Sequence, residues 1–151
     1  MRATLRTVIL VAAVTGLSAS RPAAGENPMT VVVANGPYAG TYKARADEVI
    51  CLHAKKEKSL MASFKDFEAS TPRTFAEGGL RIDNPDAPGP KVGTVYVAFG
   101  TNDKKAVEYY VSGVPITMTM KGKGADLIGS AKSKDGISVR VTVNCTEIDT
   151  M

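Results

Sequence analysis

Tryptophan is absent from this chain, and histidine and cysteine are scarce. Its 151 residues include no Trp, one His and two Cys. One imidazole cannot form a histidine-rich zinc site, and no residues near His53 complete a tetrahedral ligand set. The lack of Trp also removes a common stacking platform for sugars. With no recognisable catalytic motif, we expect no resident metal, no cofactor and no catalytic residue set.

Long apolar runs are also lacking beyond the first 25 residues. None there reaches the roughly 18 residues that a transmembrane helix requires. At the N-terminus, two arginines accompany an apolar stretch at residues 7–17, which is too short to span a bilayer. Ala23 and Gly25 then fit the small residues of a cleavage site. We predict a secretory signal peptide at residues 1–25, a secreted or periplasmic location, and no transmembrane anchor after cleavage.

Excess charge disappears once that segment is removed. The full chain has 19 Lys and Arg against 15 Asp and Glu, and three of the arginines lie in the segment. The remaining 126 residues therefore carry 16 basic and 15 acidic side chains. This balance gives no basis for nucleic-acid binding. The length suits one domain with a real core, and no linker or repeat divides it, so we predict a single domain at residues 26–151.

The two cysteines, Cys51 and Cys145, both belong to the exported part. In an oxidising compartment such a pair is most simply a disulfide. It would close a loop of roughly 95 residues, worth about 4–5 kcal/mol in the chain-entropy model. The alternative is a catalytic thiol at Cys51 beside His53, which shares its face on a strand. That alternative needs a free thiolate, so we favour the disulfide.

The second half of the sequence alternates between apolar and polar residues, as strands do. Asp135-Gly136 fits a type I′ hairpin turn, and Ser112-Gly113 is interpreted as the end of a strand. The connections are too short for helical crossovers, so the strands should form a five-stranded antiparallel meander. Its predicted strands are 94–99, 106–111, 116–120, 127–132 and 137–145.

The first half is less regular. Short strands are predicted at 30–34, 40–46, 49–53 and 80–83. Residues 60–67 fit either a strand or a helical turn, and we favour the strand because its neighbours are strands. The pattern predicts an all-β fold of about eight or nine short strands, either an antiparallel β-sandwich or a small up-and-down β-barrel.

Lysines cluster near two of the predicted turns. In a five-stranded meander, the turns at 100–105 and 122–124 lie at the same end of the sheet. The lysines there would form a rim able to bind an anion, although lysines at strand ends also guard sheet edges and aid solubility. The residues of this predicted rim are Lys104, Lys105, Lys121 and Lys123.

Two tyrosines have the register of outward-facing residues. Tyr96 and Tyr110 alternate with the apolar positions of neighbouring strands, so they should be exposed together as a small aromatic binding patch. The alternative is a cross-strand pair that only stabilises the sheet.

A weaker site is suggested by Asp83, Asn84 and Asp86, which place three oxygen-bearing side chains in one loop. Calcium prefers such ligands but takes six to eight oxygens. A turn with side-chain hydrogen bonds before a proline explains the same residues. We therefore favour the turn, with a calcium site as the alternative.

We hypothesise an exported, non-enzymatic β-domain that binds a ligand or a partner surface, such as a small ligand or a cell-envelope component. If the strands close into a barrel, Met118 and Met120 could line an apolar cavity. One alternative is a small secreted hydrolase that uses His53 with Asp47 or Glu48. Another is a structural, envelope-associated protein.

Overall fold

The computed structural model describes residues 25–151, and these residues form an all-β structure. The predicted signal peptide, except Gly25, lies outside the described residues. A short 3₁₀ turn at Ala46–Glu48 precedes the third strand. The strands are β1 (Met29–Val33), β2 (Gly40–Lys43), β3 (Ile50–Ala54), β4 (Ser59–Lys65), β5 (Ser70–Asp83), β6 (Lys91–Thr101), β7 (Lys105–Lys121), β8 (Gly124–Lys132), β9 (Ser138–Cys145) and β10 (Asp149–Thr150).

All ten strands within residues 25–151 belong to one sheet, in the order β10-β3-β4-β5-β6-β7-β8-β9-β1-β2. Strands β3 to β9 follow one another up and down because their short connections allow only antiparallel neighbours. The short strand β10 runs parallel to β3 at one edge. The sheet curls into a half-barrel and is not clearly a sandwich. The all-β prediction is confirmed. No helix among residues 25–151 has the length and apolar character required to span a membrane.

The C-terminal meander has four strands, so the prediction of five is wrong. Strand β7 continues for 17 residues through Ser112 and Gly113, where a turn was expected. The register against β6 shifts at this point, since Gly93 faces Val114 while Thr94 faces Ser112. Gly113 is the extra residue, with φ of 73°. Such a bulge bends a strand without ending it, which is why a Ser-Gly pair resembled a turn.

In the first half, the strand interpretation of residues 60–67 is confirmed over Ser59–Lys65. Leu60, Ala62 and Phe64 are buried there, and the residues between them face outward. Strand β5 is much longer than the predicted 80–83, because it extends back to Ser70 through an irregular register.

The predicted disulfide is confirmed. Cys51 on β3 and Cys145 on β9 are joined, with their Cα atoms 5.9 Å apart, and each residue is only 2% exposed. These strands are far apart in the order of the sheet. The bridge therefore fastens the curl across the core.

Asn27 adds hydrogen bonds to the region that the disulfide joins, where the start of β3 lies near the end of β9; we call this region the seam. Its buried side-chain amide donates to the Val49 carbonyl over 2.8 Å. Its Oδ1 accepts from the backbone N–H of Thr146 at 2.9 Å and from the Thr146 hydroxyl at 3.1 Å. Its backbone N–H donates to the Ala46 carbonyl. One side chain thus links the segments that enter β1 and β3 and leave β9.

An aromatic cluster fills one end of the core. The rings of Tyr38 and Phe99 stack at 4.7 Å, and the Tyr42 ring meets Phe99 edge-on at 4.8 Å. Phe64 and Phe75 extend the cluster, with ring centroids 5.2 Å apart. These contacts bring β2 against the inner faces of β4 to β6. They close that end of the half-barrel without strand pairing.

Candidate functional site

The outer face of the sheet carries the two predicted tyrosines side by side. The register aligns Ser63, Gly79, Tyr96 and Tyr110 across β4 to β7, with Tyr96 directly opposite Tyr110. The chain neighbours of both tyrosines face the core, so the two rings project outward. Tyr110 is 71% exposed, whereas Tyr96 is partly buried.

Tyr96 is held in place by the glycine beside it. A methyl group on Gly79 would lie 2.9 Å from the Tyr96 hydroxyl and 2.1 Å from the Ala62 carbonyl oxygen. Only glycine therefore leaves room for the ring to cross β5. Across Gly79, Tyr96 is also aligned with Ser63 on β4. The pair thus combines a fixed ring, Tyr96, with an accessible one, Tyr110.

A groove of about 330 Å³ runs past these rings. This volume lies near the lower end of the range, about 300–1,000 Å³, that small-molecule sites occupy. Its floor includes Thr94 and Ala98, which are 7% and 5% exposed although they face outward. Its other lining residues on the outer face are Met61, Glu77, Arg81, Tyr96, Glu108 and Tyr110.

Charges of both signs stand around this groove, two basic side chains against three carboxylates. Lys105 places its ammonium 3.2 Å from the Glu77 carboxylate, with its own side chain only 20% exposed. Arg81 lies 3.4 Å from Asp83, and Glu108 stands on the opposite side of Ala98 from Glu77. The groove therefore offers both hydrogen-bond donors and acceptors without a strong field of one sign.

A second outer groove continues from the first. It measures about 470 Å³ and shares Met61, Glu77 and Tyr96 with its neighbour. It adds Ile50 and Phe67, which are 56% and 70% exposed. The apolar outer surface thus extends across β3 to β7.

Burial raises the pKa of Tyr96 to about 12, and the Glu77 carboxylate adds to the rise. The neighbouring Ser63 hydroxyl lowers this pKa and so acts in the opposite direction.

This shift predicts a pH dependence of stability. An unfolded tyrosine titrates near 10, so folding is favoured by the neutral phenol below pH 10, and this contribution is lost as pH rises through about 12. We expect the free energy of unfolding to fall less between pH 9 and 12 in Tyr96→Phe than in the wild-type protein. Urea titrations across this range measure the difference, and values at pH 8 correct for the lost hydroxyl. Parallel pH profiles of the two proteins would contradict the expectation.

The structure does not bring the four predicted rim lysines together. Lys104 and Lys105 stand at the start of β7, whereas Lys121 ends this strand and Lys123 follows it. Because β7 is one continuous strand, its two turns lie at opposite ends of the sheet. Lys121 instead pairs with Asp126 on the neighbouring strand. The predicted rim depended on a strand end at residues 112–113 that does not exist.

His53 has a carboxylate partner, but not one of those considered from the sequence. Its Nε2 lies 3.3 Å from Oδ2 of Asp86, which belongs to the loop after β5. Asp47 and Glu48 line the second outer groove instead. Cys51, the nearest thiol in sequence, is bridged. The described residues therefore offer His53 no thiol nucleophile.

The loop considered for calcium has separate partners for its carboxylates. Asp83 pairs with Arg81, and Asp86 lies against His53. Asn84 adopts a left-handed conformation with φ of 49°, as a tight turn requires. Within residues 25–151, no group of three or more His, Cys, Asp or Glu side chains is arranged to hold a metal ion.

A further pocket opens toward the end of the core away from the aromatic cluster. We call it the mouth pocket; its volume is about 340 Å³. Met118 and Met120 both line it, although as part of an open pocket and not of an enclosed cavity. The sequence did not predict the side of the pocket formed by Glu147, Ile148 and Thr150, because the two residues of β10 are too few to show a periodic pattern. The other lining residues are His53, Leu60, Pro85, Asp86, Gly122 and Lys123.

Comparisons of the chain with protein-family models, with curated proteins and with solved structures find no match. The fold and its surfaces define the class as an all-β half-barrel braced by one disulfide. Functional inference therefore depends on the chemistry of the outer grooves and the mouth pocket.

Proposed function

We propose that this protein is an exported, non-enzymatic β-domain that binds a neutral carbohydrate segment on its outer face. The observation that carries the proposal is the groove beside Tyr96 and Tyr110, with charged side chains of both signs along it. The disulfide between Cys51 and Cys145 is compatible with an exported protein.

The ligand class follows from the groove lining. Two neighbouring aromatic rings offer apolar surface to the C–H groups of a sugar ring, and the hydroxyl of the exposed Tyr110 can hydrogen-bond with the sugar. Glu77, Glu108 and Arg81 can accept from or donate to sugar hydroxyls. An ionic ligand would meet charges of both signs here, whereas a neutral polyhydroxylated ligand meets only hydrogen-bonding partners. A carbohydrate of the cell envelope has this chemistry.

Tyr110→Ala tests the proposal, because Tyr110 is the accessible ring. We expect at least one neutral hexasaccharide, among those built from glucose, xylose or N-acetylglucosamine, to bind the wild-type protein. The variant should bind this sugar at least tenfold more weakly, in line with the roughly 2 kcal/mol or more that truncation of a hot-spot residue costs. Since the chain has no Trp, tyrosine fluorescence can follow the titration without interference.

Val32→Ala is the matched control, because Val32 is a partly exposed apolar residue on β1, outside the groove. Its affinity for the same sugar should equal that of the wild type. Absence of binding across the panel would overturn the carbohydrate proposal. Cleavage of the sugars that His53→Ala abolishes would favour the hydrolase alternative instead. Crosslinking to one envelope protein through this face would favour a structural role.

A further inference from the structure

We propose that the mouth pocket binds a soft monovalent metal ion, Cu(I), through the thioethers of Met118 and Met120 and the imidazole of His53. This site is independent of the outer groove and of its ligand.

The two methionines are positioned by the alternation of β7. Met118 and Met120 are two residues apart, so their side chains leave the same face of the strand, with Cα atoms roughly 7 Å apart. Methionine has three rotatable bonds and a polarizable sulfur, so two such side chains can converge on one ion. His53 comes from β3 and lines the same pocket. Three residues that can supply donors thus line one pocket from two strands.

The exposure of Met120 argues against a packing role alone. Met29 shows what a core methionine looks like in this protein, since it is 1% exposed. Met120 is 56% exposed on the inner face of the curl, at the open end of the sheet. A methionine that only filled a gap would be covered by its neighbours. The Met120 side chain is instead accessible from solvent at the pocket.

His53 provides a nitrogen without a hydrogen-bond partner. Its side chain is only 13% exposed, and its Nε2 is buried with no hydrogen bond among the described residues. The Asp86 carboxylate lies 3.3 Å away but is not aligned to accept one. Buried polar atoms of this kind normally find a partner. A neutral imidazole can instead donate the lone pair of a ring nitrogen to a metal ion.

The donor set selects the metal. Thioether sulfur is a soft, neutral ligand that favours Cu(I), whereas calcium and magnesium require oxygen ligands. Leu60 and Ile148 supply apolar walls that reduce competition from water. Both cysteines are bridged, so no thiolate in the chain competes for the ion. Binding involves no electron transfer, because the ion enters and stays in its monovalent state.

Silver nitrate is the first probe, because Ag(I) has the same soft character and needs no reductant that would endanger the disulfide. We expect one Ag(I) per protein by native mass spectrometry. The methyl NMR signals of Met118 and Met120 should shift while that of Met29 stays unchanged. Cu(I), kept reduced with ascorbate, should compete for the same site.

The variant Met118→Leu with Met120→Leu should lower the Ag(I) affinity at least 100-fold. Leucine conserves volume, so the fold should survive, which circular dichroism verifies. Met61→Leu is the matched control, because Met61 lies on the outer face and should leave the affinity unchanged. His53→Ala should weaken binding at least tenfold through the loss of one ligand.

Two results would overturn the site. One is the absence of stoichiometric Ag(I) binding to the folded wild-type protein. The other is equal binding by wild-type protein and the double leucine variant, which would place the ion elsewhere. Tighter binding of Zn(II) than of Cu(I) would also contradict the choice of metal, because zinc in proteins is held by thiolate, imidazole and carboxylate ligands, and it would then be held by His53 and a carboxylate and not by the methionines.

Discussion

Replacing both cysteines, Cys51→Ala with Cys145→Ala, should lower the free energy of unfolding by about 4–5 kcal/mol. The bridge joins residues 94 positions apart, so it removes much of the conformational freedom of the unfolded chain. A loss of this size is a large share of the roughly 5–15 kcal/mol that stabilises a typical domain. Urea denaturation of the oxidised wild-type protein and the double variant measures it.

Reduced wild-type protein is the control for the loss of the sulfur atoms themselves. It lacks the bridge but keeps both side chains, so it should unfold close to the double variant. A loss below about 2 kcal/mol in both would contradict the chain-entropy argument. It would mean that the unfolded chain already holds β3 near β9, or that the bridge carries strain in the folded state.

The sequence predicted the strands whose two faces differ clearly. Strand β9 alternates without interruption between buried valines and exposed polar residues, and its pattern was sufficient. Strand β5 was found only at its end, because Pro72 and the pair Gly78 and Gly79 resemble loop residues. In the structure, Gly79 instead makes room for Tyr96, a contact between strands that local periodicity does not contain.

The sequence predicted the binding surfaces only where alternation within a strand showed which residues share a face. Alternation alone placed Tyr96 and Tyr110 on one face, and Met118 with Met120 on the other. The partners from distant segments were missed, because sequence proximity is a poor guide to contact in a curled sheet. His53 illustrates this, since Asp86 approaches it from 33 positions along the chain while the nearer Asp47 and Glu48 face another groove.

Strand β4 shows how the two proposed sites stay independent. Leu60 faces inward to the mouth pocket, and Met61, the next residue, faces outward to the groove. Because successive side chains of a strand point to opposite faces, a substitution on one face leaves the other site in place. The methionine and tyrosine variants therefore report on separate surfaces.

Asn27→Ala is expected to destabilise the fold by about 2–4 kcal/mol, a large effect for one polar side chain. The substitution leaves the Val49 carbonyl and the Thr146 N–H and hydroxyl without their partner, in a seam that is buried at Val49 and partly buried at Thr146. Unsatisfied buried groups cost about 1–3 kcal/mol each, although water entering the seam would recover part of this. Thermal and urea unfolding of the purified variant measure the loss.

Asn35→Ala is the matched control. Asn35 also bridges distant segments, accepting from Ser138 N–H at 2.9 Å and donating to the Gly136 carbonyl at 3.1 Å, but both bonds are exposed to solvent. Water can replace them, so its loss should stay near 1 kcal/mol or below. Equal effects of the two substitutions would show that burial of the Asn27 contacts does not matter.

Combining Asn27→Ala with the double cysteine replacement tests whether the Asn27 hydrogen bonds and the disulfide stabilise the same seam. Asn27 contacts Thr146, the residue after Cys145, and Val49 lies two residues before Cys51. Because the bridge keeps these segments together when the amide is gone, the amide should matter more in the protein without the bridge. We expect the combined loss to exceed the sum of the separate losses by about 0.5–3 kcal/mol, the range of coupled neighbours. If the losses in the free energy of unfolding simply add, the Asn27 hydrogen bonds and the disulfide stabilise the half-barrel independently of each other.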